Sequence, residues 1–296
     1  MFFKRTRKYC SSILRRFGWW IPDRIYLHMM YFVQMGKVLH LKSPETYSEK
    51  LQWLKLYNRK PEYTMMVDKY AVKDYVAKLI GKEHVIPTLG VWNRPEDIEW
   101  DILPNQFVLK ITNGGGSKGV VICKEKESFD KNLAVTTLNK ALRRNIYKMY
   151  REWPYKDIKP RIIAEKYMED VDNPTEELHD YKVYCFNGEP LIIMYSTGRF
   201  NGGITFDYYD TKWNKLPLEW DKPNSKFIAP RPQKMEELLS ISETLAKGIP
   251  HVRVDLYIIN NSVYFGELTF FDSSGFSHFT PSDWNLKLGK KICLPI

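Results

Sequence analysis

Apolar and polar residues alternate with a period of two over residues 251–271. Val252, Val254, Leu256 and Ile258 interleave with Arg253, Asp255 and Tyr257. After Asn260-Asn261-Ser262 the alternation resumes, with Tyr264, Gly266, Leu268 and Phe270 set against Phe265, Glu267 and Thr269. This pattern predicts a β-hairpin. A three-residue loop over 260–262 sets Asp255 opposite Glu267 and Arg253 opposite Thr269, whereas a two-residue turn sends the two acids to opposite faces. Other extended runs predict strands near Val85 and Val91, at 107–111, 120–123, 161–168 and 203–209, and a hairpin over 180–196 turning at Asn187-Gly188. Helical spacing predicts a short helix within 43–60, capped by Ser43 or Thr46. It also predicts a long helix over 62–80 stopped by Gly81, and helices over 128–150 and 233–247. Residues 151–160, REWPYKDIKP, read as a charged linker ending in proline. Strands dominate, without strict βαβ alternation, which predicts an α+β fold in two lobes.

Two carboxylates directly opposed on a sheet repel. Asp255 and Glu267 so placed call for a cation. Hard carboxylate oxygens suit Mg²⁺, unless Arg253 and nearby lysines neutralise the pair as a surface network. A second feature points the same way. Residues 106–124, QFVLKITNGGGSKGVVICK, set a strand carrying Lys110 before a glycine-rich turn, and a second strand after it. Consecutive glycines let backbone N–H groups converge on an anion without Cβ obstruction. Ser117 offers a hydroxyl and Lys118 a charge. No GxxxxGK[ST] pattern is present and no helix opens directly after the glycines, so this is a phosphate-covering hairpin rather than a Walker loop.

Charge changes the picture at one end. The chain carries a net charge of +10 over 296 residues. Residues 1–42 hold Lys4, Arg5, Arg7, Lys8, Arg15, Arg16, Arg24, Lys37 and Lys42 against Asp23 alone, nine minus one, or +8. A nucleic-acid binder would spread a basic stripe over its folded body, so nucleic acid is not the expected partner. A basic N-terminal segment with Ile13, Leu14, Phe17, Trp20 and Ile21 near one helical face suits an anionic membrane surface, with contact through residues 1–21. It equally suits a basic helix packed on its own domain. The four cysteines form no CxxC pair and the six histidines no metal spacing. The expectation is a cytoplasmic protein with reduced thiols, no zinc, no signal peptide and no membrane span.

A phosphate clamp on one antiparallel sheet and an acidic hairpin on another resemble the ATP-grasp fold, in which two α+β subdomains close on ATP. The resemblance implies a role for each matching segment. Asp68-Lys69 resemble a helix opening whose lysine reaches the nucleotide phosphates. Lys110 resembles the strand lysine, and Asn113, Gly114, Gly115, Gly116, Ser117, Lys118 and Gly119 the phosphate loop. Glu165, Lys166, Tyr167 and Met168 resemble the hinge strand that frames adenine, and Asp180 the acid after the hinge. Arg253, Asp255 and Glu267 resemble the arginine and metal-ligand signature. Glu267-Leu268-Thr269 stands where the superfamily usually has Glu-x-Asn, so Thr269 replaces an amide ligand with a hydroxyl. The preATP region before residue 60 is abbreviated. EKLQWLKLY, REWPYKDIKPRIIAEKY, DYKVYCFNGEP and RVDLY with GELTF resemble the TupA-like branch, which is tied to bacterial cell-surface polysaccharides and teichuronopeptide.

The implied organisation is a basic helical segment over 1–60, a subdomain with the phosphate loop over 61–168, and a subdomain with the metal hairpin over 169–296. The implied activity is an ADP-forming carboxylate–amine ligase using ATP and Mg²⁺. Lys110 and Arg253 serve as its catalytic cations, a carboxylate-bearing sugar or glycan as acceptor, and an amino acid or other amine as donor. Two alternatives stand beside it: a glycosyltransferase using a nucleotide sugar, and a non-catalytic membrane- or polymer-binding module.

Overall fold

The computed structural model describes residues 2–116, 119–171, 178–198 and 203–295, without the side chains of residues 2–5. Helices come first: α1 (Phe2–Phe17), α2 (Asp23–Met35), α3 (Tyr47–Tyr57), α4 (Glu62–Val67) and α5 (Ala71–Ile80). Strands β1 (Thr88–Trp92), β2 (Phe107–Ile111) and β3 (Val120–Cys123) follow, then α6 (Lys131–Leu142), α7 (Ile146–Tyr150) and β4 (Ile162–Lys166). The rest of the chain gives β5 (Asp180–Phe186), β6 (Glu189–Thr197), β7 (Thr205–Tyr209), β8 (Glu219–Trp220), α8 (Met235–Ala246), β9 (His251–Ile259), β10 (Ser262–Thr269), β11 (Phe279–Thr280) and α9 (Trp284–Lys291).

The strands sort into a four-stranded sheet of order β1-β4-β2-β3, a five-stranded sheet of order β10-β9-β5-β6-β7, and the small pair β8-β11. Both larger sheets are antiparallel throughout. The first is built from residues 88–166 and the second from 180–269. Leu109, Ile111, Ile162 and Ala164 pack with Leu138 and Ala141 of α6 in the core of the smaller sheet. In the larger sheet, Val183 and Cys185 of β5 and Val252, Val254 and Leu256 of β9 pack with Leu238, Ile241 and Leu245 of α8. Alternation therefore leaves Asp180, Lys182, Arg253 and Asp255 on the face away from α8. Helices α3 to α5 contribute Leu51, Leu54, Tyr63, Met66, Val72 and Val76 to the larger core, not to the sheet that follows them in sequence. Among the described residues no strand precedes β1.

Three sequence expectations are corrected. The helix expected over 62–80 breaks at Asp68, whose backbone is extended and whose carboxylate accepts from Tyr70 and Ala71 N–H groups at 2.9 Å. A short acid that caps the next turn competes with helix continuation. The helix expected over 128–150 breaks at Arg143–Asn145, where Asn145 caps α7 through Lys148 N–H at 2.8 Å. Val85 lies in no strand; it bridges to Phe265, and β1 begins at Thr88. Thr46 rather than Ser43 caps α3, in a capping box with Glu49.

Candidate active site

The site begins with a change of register. The β9–β10 turn has two residues, Asn260 and Asn261, both at positive φ (49° and 56°), not the expected three. That conformation suits a two-residue hairpin turn. It pairs Ser262 with Ile259 and Phe265 with Leu256, a register that continued unbroken would separate the acids. Gly266 forms a bulge, and beyond it Glu267 faces Asp255 and Thr269 faces Arg253. A Cβ at Gly266 would meet the Asp255 carbonyl oxygen and the Tyr257 ring at 3.0 Å. The expected pairing is present, produced by a turn and a bulge rather than by a longer loop.

The acids are deeply placed, and cations surround them. Asp255 is buried and takes two bonds from Arg253, at 2.6 and 2.8 Å. Lys182, directly opposite on β5, reaches Asp255 and Asp180 at 2.5 Å each. Arg253 also pairs with Asp272 and donates to Thr269 at 3.2 Å. Glu267 pairs with Lys69, which arrives from the break between α4 and α5. Lys69 N–H bonds to the Thr112 carbonyl at 2.9 Å, fixing this break against the end of β2. Burial alone would raise the Glu267 carboxyl, but Lys69, Lys182 and Arg253 hold it down at about 2. For Asp255, burial pushes the carboxyl up against the pull of Arg253 and Lys182.

A second cluster lies on the smaller sheet. Glu165 of β4 pairs with Lys110 of β2 at 2.6 Å and with Lys73 of α5 at 2.5 Å. Burial opposes its ionisation, yet the two lysines hold the carboxyl at about 2. Glu165, expected beside adenine, is thus the side chain that positions Lys110. Lys166 is exposed on the strand, its N–H bonded to the Pro87 carbonyl, and Tyr167 and Met168 are half-buried beyond it. Asp180, also expected near the nucleotide's hinge, shares Lys182 with Asp255 at the acidic hairpin.

The glycine turn folds tightly at its ends. A Cβ at Gly114 would lie 2.6 Å from Ile111, and one at Gly119 (φ 89°) 2.6 Å from Ala141. Ser117 and Lys118 lie outside the described residues. Asn113, Gly114, Gly115 and Gly116 line a cavity of about 320 Å³ whose opposite wall is Arg253, Glu267, Thr269 and Asp272. Glu152, Tyr150 and Arg144 also line it. Glu152 is buried, accepts from Ser274 Oγ, and is pushed up to about 7 by that burial despite the nearby Lys55. Arg144 has no ion-pair partner among the described residues. By contrast Arg253 is fully engaged with acids.

Four of these side chains were given no site role from the sequence. Lys182 shares its strand phase with Asp180, two residues away, and that phase is visible in DYKVY. Lys73 stands four residues after Lys69. Glu152 lies in the apparent linker, and Arg144 in the unforeseen break between α6 and α7; neither has a periodic signal.

The donor chemistry can be tested against Mg²⁺. Two carboxylates and a hydroxyl are hard oxygens of the right kind, but too few for a closed cage. No three acidic, histidine or cysteine side chains converge on one point among the described residues. The set fits an ion that takes its remaining ligands from a phosphate chain and water.

The sequence profile of the TupA-like ATPgrasp family matches residues 49–293. The chain belongs to the TupA-like ATP-grasp family. No curated protein matches it. Solved structures similar to this TupA-like chain include D-alanine–D-alanine ligase from Helicobacter pylori, at 16% identity and a TM-score of 0.45, covering 85% of this chain and 68% of that one. The D-alanine–D-alanine ligase from Bacillus anthracis is 17% identical with a TM-score of 0.41; the match covers 70% of this chain and 57% of that enzyme. The ATP-grasp ligase PsnB, in a complex with Mg and ADP, is 9% identical with a TM-score of 0.41, covering 88% of this chain and 64% of that one.

Proposed function

We propose that this chain is an ATP- and Mg²⁺-dependent carboxylate–amine ligase that forms an amide through an acyl phosphate and releases ADP. The observation that carries this reading is the chamber lined by the glycine turn on one side and by Arg253, Glu267, Thr269 and Asp272 on the other. Lys69 and Lys110 would hold the α- and β-phosphates, and backbone N–H groups of the glycine turn would cover the γ end. Asp255, Glu267 and Thr269 would hold Mg²⁺, which supplies charge neutralisation along the phosphate chain.

The bond changes are simple. A carboxylate oxygen of the acceptor attacks the γ-phosphorus, and its bond to the β–γ bridging oxygen breaks, releasing ADP. The amine then attacks the acyl carbon and inorganic phosphate leaves. Arg144 offers the charge to seat an acidic acceptor. Glu152 is placed to take the proton from the attacking amine, with a carboxyl near 7 that suits a base at neutral pH. Arg253, held by Asp255 and Asp272 at the chamber wall, would present its guanidinium to the acyl phosphate.

Family membership supports a uronic acid or similar carboxylate of a bacterial cell-surface polysaccharide as acceptor, and an amino acid as donor.

Purified full-length protein, incubated with ATP, Mg²⁺ and pairs of uronic acids and amino acids, should release ADP and phosphate only when an acid is present. Hydroxylamine should trap that acid as a hydroxamate. AMP in place of ADP, or UDP from a sugar nucleotide without any need for ATP, would overturn the reading.

A further inference from the structure

The N-terminal helices meet the body with one face and leave the other uncovered. On α2, Tyr26, Leu27, Met30 and Tyr31 are buried with Leu39, Leu41 and Phe276. On α1, Ser11 accepts from Gln34 of α2 at 2.7 Å, and Arg15 donates to Tyr150 of α7 at 2.9 Å. Arg151, itself buried, ties the turn between α1 and α2 to the body through the Gly18 and Ile21 carbonyls, and lies 3.9 Å from the centre of the Tyr26 ring. Asp23 is bound by Arg59, Arg151 and Tyr147. The hairpin is therefore a fixed part of the fold.

Its outer surface is apolar at helical spacing. Tyr9, Ile13 and Phe17 recur every fourth residue along α1, and Ile25, Met29 and Phe32 form a second stripe on α2; all are exposed. Trp19 and Trp20, in the connection, are 64% and 69% exposed. Single exposed apolar residues are ordinary, but repeated stripes with paired tryptophans on one hairpin mark an interaction surface. The charges decide what it meets. Lys8, Arg16, Arg24, Lys37 and Lys42 are exposed. The one acid within residues 6–42, Asp23, is spent on internal ion pairs, so the outward charge is wholly positive.

We infer that the α1–α2 hairpin docks this protein in plane on an anionic lipid bilayer. Trp19, Trp20, Phe17 and Phe32 enter the headgroup boundary, and the basic side chains meet lipid phosphates. A hairpin with exposed tryptophans at its turn and exposed charge of one sign fits a lipid interface better than a protein groove. No helix among the described residues is long and apolar enough to cross the membrane, so the attachment is peripheral. Through the Arg15–Tyr150 contact the docking hairpin abuts α7, whose Tyr150 lines the chamber.

The test uses the full chain with vesicles of phosphatidylglycerol and phosphatidylcholine, and with phosphatidylcholine alone. Sedimentation with the anionic vesicles at low salt, a blue shift of tryptophan emission, and release by salt are expected. The double variant Trp19→Ala/Trp20→Ala should abolish the blue shift and weaken sedimentation at least tenfold while keeping the melting temperature, since both side chains are exposed. Arg16→Glu and Arg24→Glu should each weaken binding about fivefold or more. Absence of sedimentation at low salt, equal binding to neutral vesicles, or concentration-dependent self-association that Trp19→Ala/Trp20→Ala removes would overturn the proposal. These readouts need no ligase activity, so they fail or succeed apart from the ligase reading.

Discussion

The two charge clusters use the same residue types and are unbalanced in opposite directions. On the smaller sheet, Lys73 and Lys110 share one acid, Glu165. On the larger sheet, Lys69, Lys182 and Arg253 face four acids, Asp180, Asp255, Glu267 and Asp272. Each cluster satisfies itself by ion pairing, yet one is left with a surplus cation and the other with a surplus acid. On the proposed reading a phosphate chain would complete the first and a divalent cation the second. The difference teaches that pairing within a site and readiness for a ligand are compatible: the internal partners hold the side chains in place, and the residual charge selects what arrives.

The comparison breaks most severely at the acidic cluster. Asp255→Asn or Glu267→Gln should lower turnover by at least about 10³, the scale of losing a principal electrostatic element of the reaction. Asp255→Asn should also destabilise the fold by about 3 kcal/mol, because Arg253 and Lys182 lose a buried partner. Steady-state ADP release and chemical denaturation would show both; unchanged turnover in both variants removes the metal site. On the cationic side, Lys110→Ala should weaken ATP binding by about 2–4 kcal/mol, the cost of truncating a charged partner, as read by calorimetry.

Glu152 lies on the chamber wall outside both clusters. Burial pushes its carboxyl up to about 7 despite Lys55, so a base at this position gains strength as pH rises and the rate should climb with it. Glu152→Gln should erase that limb of the pH–rate profile and cost roughly 10² in kcat. A limb that persists in the variant assigns the proton to another group.

Glu165 makes a distinct prediction about stability. Its folded value of about 2 is below the ordinary 4.5, so its contribution is present above pH 4.5 and is lost as pH falls towards 2. Glu165→Gln should flatten acid denaturation across that window. The smallest effect is expected at the bulge: Gly266→Val crowds the Asp255 carbonyl and should cost about 1–2 kcal/mol, with a matching loss of activity.

Much of this was legible in the sequence, for local reasons. Strand alternation gave the hairpin and the facing of Asp255 and Glu267, and the Asn187-Gly188 turn stands where it was expected. The route to the facing was not legible. A two-residue turn and a bulge reproduce the pairing of a three-residue loop, and a glycine in a strand does not announce which neighbour it displaces. The break at Asp68 was legible only through the resemblance, which made Asp68-Lys69 a helix opening. Apolar spacing runs through it; the Asp68 cap and the tertiary bond from Lys69 N–H to Thr112 show why the chain turns there. Lys182, opposite Asp255, was missed because pairing across β5 and β9 joins residues 182 and 255, far apart in sequence. At the N-terminus the hairpin packs on the body, as one of the two readings had it, and also exposes an apolar face.

The central claim is that one cluster awaits phosphate and the other a divalent ion. Calorimetric titration of ATP with and without Mg²⁺, into wild type, Lys110→Ala and Glu267→Gln, tests it most directly. The account predicts that Lys110→Ala weakens ATP binding under both conditions. Glu267→Gln should leave metal-free binding near wild type and remove only the gain that Mg²⁺ brings. Equal losses in both variants regardless of Mg²⁺, or a Mg²⁺ gain that survives Glu267→Gln, would contradict the division of labour between the two sheets.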